Sequence, residues 1–381
     1  MQQSRTARPS RTPTWPLGAV LVAATSVVIG VIWDISWHRT IGRDTFWTPA
    51  HMAIYLGGVL AGTSCGWLVL KTTFAGTPES QAGTVTFWGF KGPLGAWLAI
   101  WGAFAMITSA PFDNWWHNAY GLDVQVLSPP HVLLALGFTG IQLGALFLAL
   151  AHQNNEGDRP AFRWGYAYAA GLLVANASIM GFEYIAFPND MHRALFYQVS
   201  AAAFPILLVA TARASRLTWP ATTTAAVYMG VTLLMVWVLP LFPATARLAP
   251  IYRSVTNMVP PPFPILLVLP ALAVDLILRK SGTGRGRDWL AAIGAGLAFV
   301  AVLLVVQWEV SRYLVSPASE NAFFGAGRWN YNSLPGSWEH EFWNARENPL
   351  TAAGVGIAAL LAVASARMGL WWGSWMARVR R

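Results

Sequence analysis

Two short stretches of this chain combine residue types that hold metal ions. The first reads WDISWHRTIGRDTFWTPAHMAIY from Trp33 to Tyr55. Asp34 closes an apolar run, His38 follows four residues later, and His51 opens the next apolar run. Residues four apart on a helix share a face, so Asp34 and His38 can point at one spot. A short loop that folds back brings His51 to it. One carboxylate and two imidazoles, with further positions open, make a transition-metal site. The same arrangement recurs at 112–134, FDNWWHNAYGLDVQVLSPPHVLL, with Asp113, His117 and His131. Four of the chain's 7 histidines fall in these two patterns.

The elements that must position them are membrane helices. The chain has 381 residues, 55% hydrophobic and only 11% charged, against roughly 25% charged in soluble proteins. Apolar stretches of about twenty residues are the signature of membrane spans. Ten are expected, at about 17–37, 51–70, 88–110, 131–151, 164–185, 194–212, 219–240, 262–278, 289–308 and 350–370. The expected fold is all-α and polytopic, with the helices arranged as tandem pairs. It divides into a disordered tail over 1–15, duplicated metal-binding helix pairs over 16–160, and a remaining membrane domain over 161–381 with an aromatic loop at 309–349.

A net charge of +9 could suggest nucleic acid, but its distribution argues against such a partner. Threading the ten spans from a cytoplasmic N-terminus puts 17 of the 25 basic residues inside, with only 5 of the 16 acids. Basic cytoplasmic loops set orientation. Both termini are therefore expected in the cytoplasm of a multi-pass protein of the inner (cytoplasmic) membrane, with the metal sites toward the extracytoplasmic side and the lipid bilayer as partner. The lone Cys65 lies within the second span, so a disulfide framework is excluded.

The two units align closely. His38 to His51 is thirteen residues and His117 to His131 is fourteen. Gly42 and Asp44 match Gly121 and Asp123, and Thr48-Pro49 matches Ser128-Pro129. This is the pattern of a tandem duplication of a helix–loop–helix pair. A Thr-Pro or Ser-Pro pair before an apolar run is also a helix-start signal. Each aspartate has a simpler alternative role, pairing with Arg39, Arg43 or the histidines alone. Elsewhere, Glu183, Asp190 and His192 lie close in sequence on the outer side and could bind a further ion or relay protons. Asp275, one turn before Arg279, reads as an ion pair. His152 suits a helix C-terminus, and His340 reads as a solvated loop residue.

The run His38-Arg-Thr-Ile-Gly-Arg-Asp-Thr-Phe-Trp-Thr-Pro-Ala-His51, preceded by Asp34 and followed by Tyr55, resembles the copper membrane monooxygenases, the family of methane and ammonia monooxygenase. The resemblance is to the membrane polypeptide of that family in which an Asp and two His bind copper. It implies copper held by Asp34, His38 and His51 within the membrane, and oxygen chemistry on a small apolar substrate. It also implies electrons from a quinol or periplasmic carrier, and additional oxygenase subunits as partners. Iron is the alternative metal, since two histidines and a carboxylate also describe non-haem iron sites. The second unit keeps the ligand pattern but has Leu122-Asp123-Val124 in place of Arg43-Asp44-Thr45. Arg43, Asp44 and Asp123 are expected to support the ligands from behind, an aspartate accepting from the free N–H of a ligating histidine. The alternative is a loop-closing Arg43–Asp44 pair. A metal carrier that performs no reaction is the competing function, although the acids cluster at the outer face and give no polar path through the bilayer.

Overall fold

The computed structural model describes residues 13–121, 128–155, 159–281, 284–343 and 347–380. The chain is all-α apart from one small hairpin. In order come α1 (Trp15–Thr40), α2 (Pro49–Ala75), α3 (Pro78–Gln81), the strands β1 (Val85–Phe87) and β2 (Phe90–Gly92), α4 (Leu94–Tyr120), α5 (Pro129–Asn155), α6 (Pro160–Met180), α7 (Phe182–Ile185), α8 (Ala194–Ala214), α9 (Pro220–Val238), α10 (Val268–Lys280), α11 (Arg285–Val315) and α12 (Ala352–Met376). Eight helices among the described residues are long and apolar enough to cross a membrane: α1, α2, α4, α5, α8, α9, α11 and α12. This is a multi-pass membrane protein.

The two remaining expected spans differ in form. The stretch near 164–185 becomes the 21-residue α6, which stops at Met180 and is followed by the single turn α7. The stretch near 262–278 becomes only the 13-residue α10. Its first residues are non-helical because Pro260, Pro261, Pro262 and Pro264 lack N–H donors and disfavour helix in the residues before them. The expected span at 88–110 is shifted along the chain. The β1–β2 hairpin takes its beginning, and α4 runs on to Tyr120, so Asp113 and His117 sit inside the helix.

Two compact units form. One comprises residues 1–24, 56–169 and 378–381; the other, 25–55 and 170–377. The segment 25–55, with the first Asp/His pattern, belongs to the second of these units.

In the unit containing 56–169, α4 and α5 pack antiparallel along a seam of small residues. A Cβ added at Gly102 would lie 2.5 Å from the Gly137 carbonyl oxygen, and one at Gly95 would lie 2.6 Å from that of Gly144. Such close backbone approach is how small residues associate helices in lipid.

In the unit containing 170–377, α8 and α12 pack in a similar way. The Ser365 hydroxyl donates to the Ala202 carbonyl and accepts from the Ile206 N–H, both at 2.8 Å. Asp275 corrects its expected role. Its carboxylate accepts from the backbone N–H groups of Ala221 (3.1 Å) and Thr222 (2.8 Å), capping α9. Arg279 instead stacks over Trp219 at 4.2 Å. The first turn of α9 offers unsatisfied N–H groups and a positive dipole end, which hold a buried carboxylate better than a flexible cation does.

Candidate metal centres

The first cluster is assembled by α1, the loop 41–48 and the head of α2. Close packing sets the crossing: a Cβ at Gly30 would lie 3.1 Å from the Ala50 carbonyl oxygen and 2.7 Å from the Ile54 side chain. The Ser26 hydroxyl donates to the Ala53 carbonyl at 2.7 Å. Asp34 lies one turn beyond Gly30, and His51 follows Ala50, so this contact places the carboxylate beside the imidazole. Thr48 caps α2: its carbonyl accepts from Met52 N–H at 2.9 Å, and its hydroxyl lies 3.4 Å from the His51 N–H. Proline at the first helical position needs no N–H partner.

Donor atoms of Asp34, His38 and Asp44 lie within 4.8 Å of one another, and His51 approaches both carboxylates. His51 Nε2 lies 3.2 Å from Asp34 Oδ1, and His38 Nε2 lies 3.8 Å from Asp34 Oδ2. Asp44 corrects the expectation of a supporting role behind the ligands. Its Oδ2 lies 3.6 Å from Nε2 of both His38 and His51, on the side that faces Asp34. The position behind His51 belongs to a backbone group: His51 Nδ1 lies 3.0 Å from the Thr45 carbonyl oxygen. Arg43 is exposed, and its engaged group is the backbone carbonyl, which accepts from the Trp37 indole at 3.0 Å. No Arg43–Asp44 ion pair forms among the described residues.

The second cluster repeats the geometry on α4 and α5. His117 Nε2 lies 3.3 Å from Asp113 Oδ2, and His131 Nε2 lies 3.3 Å from Asp113 Oδ1. Here Ser128 caps the second helix, its carbonyl accepting from Val132 N–H at 2.9 Å. Gly121, at φ +96°, ends α4 and turns its carbonyl oxygen to 3.3 Å from His117 Nδ1. Asp123, the counterpart of Asp44, lies outside the described residues.

The hydrogen bonds fix the chemistry of these groups. A carbonyl oxygen only accepts, so Nδ1 of His51 and of His117 carries the proton. In a neutral ring, Nε2 then presents a lone pair. That lone pair faces carboxylate oxygens, which are acceptors too. Asp113 Oδ1 is buried and accepts no hydrogen bond among the described residues. Converging acceptors repel unless a cation stands between them, either a metal ion or the proton of an imidazolium Nε2–H. Tetrahedral ligands with bonds of about 2.0–2.1 Å are themselves about 3.3–3.4 Å apart. The observed separations of 3.2–3.8 Å bracket that value, whereas an N–H···O hydrogen bond is typically about 2.9 Å. The residues therefore fit a metal ion.

Glu183, Asp190 and His192 are not brought together into a metal group among the described residues. Glu183 is exposed on α7. Asp190 pairs with Arg193 at 3.0 Å, and its burial raises its pKa despite that partner. The His192 ring lies between Trp308 and Phe342, 3.6 Å from each centroid, with Nε2 3.1 Å from the Trp308 carbonyl. Burial lowers its pKa. His340 is anchored rather than free, with Nδ1 3.0 Å from the Val315 carbonyl oxygen and Nε2 3.6 Å from Glu320.

Two residues whose part is not visible in the sequence hold the first cluster in place. Arg39 is buried after His38 and donates to Asn330 Oδ1 (2.7 Å) and the Pro260 carbonyl (2.6 Å). Tyr331 is buried against Gly42, and its N–H donates to the Arg39 carbonyl at 3.1 Å. A positive φ at Gly42 is legible as a turn after a helix; its aromatic cover, distant in sequence, is not.

Compared with family models, curated proteins and solved structures, the chain matches none.

Proposed function

We propose that this chain holds one transition-metal ion in each of two Asp/His/His centres, ligated by Asp34, His38 and His51 and by Asp113, His117 and His131. We further propose that it is a copper-dependent membrane oxygenase-like protein acting on a small apolar substrate. The observation that carries the metal reading is the convergence of the Asp113, His117 and His131 donor atoms within 4.8 Å of one another, matched at the first cluster by Asp34, His38 and Asp44, with His51 Nε2 3.2 Å from Asp34 Oδ1. The resemblance of 33–55 to the copper-binding segment of the copper membrane monooxygenases supports copper and oxygen chemistry, with iron as the competing metal. In this reading α6 and α10 complete ten spans, both termini are cytoplasmic, and the centres face the extracytoplasmic side of the inner membrane.

When bound, copper would supply oxygen activation. The chain's own residues hold the ligands. Gly30 and the α4–α5 seam fix the distance between the carboxylate helix and the second histidine helix. Thr45 and Gly121 lock imidazole tautomers, which directs Nε2 rather than Nδ1 toward the carboxylates. Substrate would arrive through the lipid, and electrons through a quinol or periplasmic carrier.

A second reading has a specific observation in its favour. The His38 side chain is 49% exposed, and oxygen chemistry needs a site from which water is excluded. The chain would then be the metal-binding subunit of a larger oxygenase complex, with another subunit covering His38, or a metal carrier. Metal analysis combined with substrate-dependent oxygen uptake by the purified chain separates these readings. Two bound ions with uptake support the enzyme; two bound ions without uptake support the subunit or carrier. Protein without bound copper or iron contradicts the metal reading.

A further inference from the structure

Asp44 sits between two anchored points of the loop joining α1 to α2. On one side, Gly42 takes φ +82° under the Tyr331 ring, and the Ile41 carbonyl accepts from Arg247 N–H at 2.9 Å. On the other, Thr48 N–H donates to the Thr45 carbonyl at 3.1 Å, and that same carbonyl meets His51 Nδ1. The carboxylate between them is held toward the cluster, with one oxygen equidistant from two imidazole nitrogens.

At 3.6 Å that oxygen is too far from either nitrogen for a hydrogen bond. It is close to the spacing of two atoms that share a metal. A supporting carboxylate would approach the ring nitrogen that points away from the metal. In His51 that nitrogen is committed to Thr45, and Asp44 faces the other one. We propose that Asp44 is a fourth ligand of the first centre and biases it toward a divalent ion. This inference rests on the metal reading above.

The bias follows from charge and softness. Two carboxylates and two neutral imidazoles carry a formal charge of −2, which a dication cancels and a monovalent ion leaves half unmet. The donor set is N₂O₂, with no thiolate or thioether among these four residues. Such donors suit copper(II), zinc or iron(II), whereas sulfur donors favour copper(I). Removing one carboxylate subtracts more attraction from a dication than from a monocation at the same distance.

The test uses the full chain in detergent, with the second centre disabled by His131→Ala so that the first is read alone. Copper(II) and, anaerobically, copper(I) are titrated against competing chelators in this parent and in Asp44→Asn, a near-isosteric change. Copper(II) affinity should fall at least about tenfold, the scale seen even for lost outer-shell partners, and copper(I) affinity should fall less. The copper(II) electron paramagnetic resonance spectrum should change, and Asp44→Glu should recover part of the affinity. Copper(II) affinity within about twofold of the parent would overturn the Asp44 assignment while leaving the three-residue site standing. Equal losses for both ions would overturn the divalent bias. A parent that binds neither ion would remove the inference together with the reading beneath it.

Discussion

Asp113 Oδ1 and His131 Nε2 stand 3.3 Å apart on two different helices, and Asp34 Oδ1 and His51 Nε2 reproduce the relationship at 3.2 Å. The repeat extends to the caps, since Thr48 and Ser128 each start the second helix three residues before the histidine. A shared arrangement of cap, proline and imidazole opposite an aspartate is what a duplicated ion site requires.

The α4–α5 seam should matter to the second centre alone. Gly102→Ala sets a Cβ 2.5 Å from the Gly137 carbonyl oxygen and 2.6 Å from the Ile141 nitrogen. Neither backbone atom can move without shifting its helix. The substitution is expected to cost about 1–3 kcal/mol and to separate Asp113 from His131. Thermal denaturation and metal counting in the variant should show lower stability and one lost ion, with the first centre retained.

The turn at Gly42 should matter to the first centre. Gly42→Ala meets two obstacles, a left-handed backbone and a Cβ 2.0 Å from the Tyr331 hydroxyl. Gly121→Ala meets only the first, since no atom of the described residues lies within 4 Å. The backbone term alone is about 1–2 kcal/mol. Denaturation midpoints should therefore fall more for Gly42→Ala than for Gly121→Ala. Removing the ring by Tyr331→Ala should relieve part of the difference.

Acid should weaken the segment between α7 and α8 through His192. Burial between Trp308 and Phe342 holds its imidazole below the ordinary value. The unfolded chain then takes up a proton first, near pH 6.5, so the stabilisation is complete above that pH and is lost as pH falls through it. Melting temperatures at about pH 7.5 and about pH 5.5, on either side of that value, should differ by less in His192→Phe than in the natural sequence. An unchanged difference would show that His192 carries none of the acid sensitivity.

Much of the architecture is readable because long apolar runs and proline starts are local properties. The clustering of the candidate donors Asp34, His38 and His51 and of Asp113, His117 and His131 is readable for the same reason, since helical spacing and a short loop largely determine which side chains come near each other. What is not readable depends on partners remote in sequence. Asp275 has Arg279 as its nearest cation along the chain, yet the N-terminus of α9 holds it. Asp190 and His192 are near neighbours, but Arg193 takes the one and two aromatic rings enclose the other. Asp44 faces the opposite side of the imidazoles from the one its place in the loop suggests, because the path of that loop depends on Gly42, Tyr331 and Arg247. The short α10 is different: four prolines in 260–264 already announce it.

The most direct test of paired metal centres is a count of bound metal in the purified full-length chain and in Asp34→Ala, Asp113→Ala and the double variant. Two ions per chain, one in each single variant and none in the double are the predicted result. A natural sequence that binds no transition metal, or single variants that retain both ions, would contradict it.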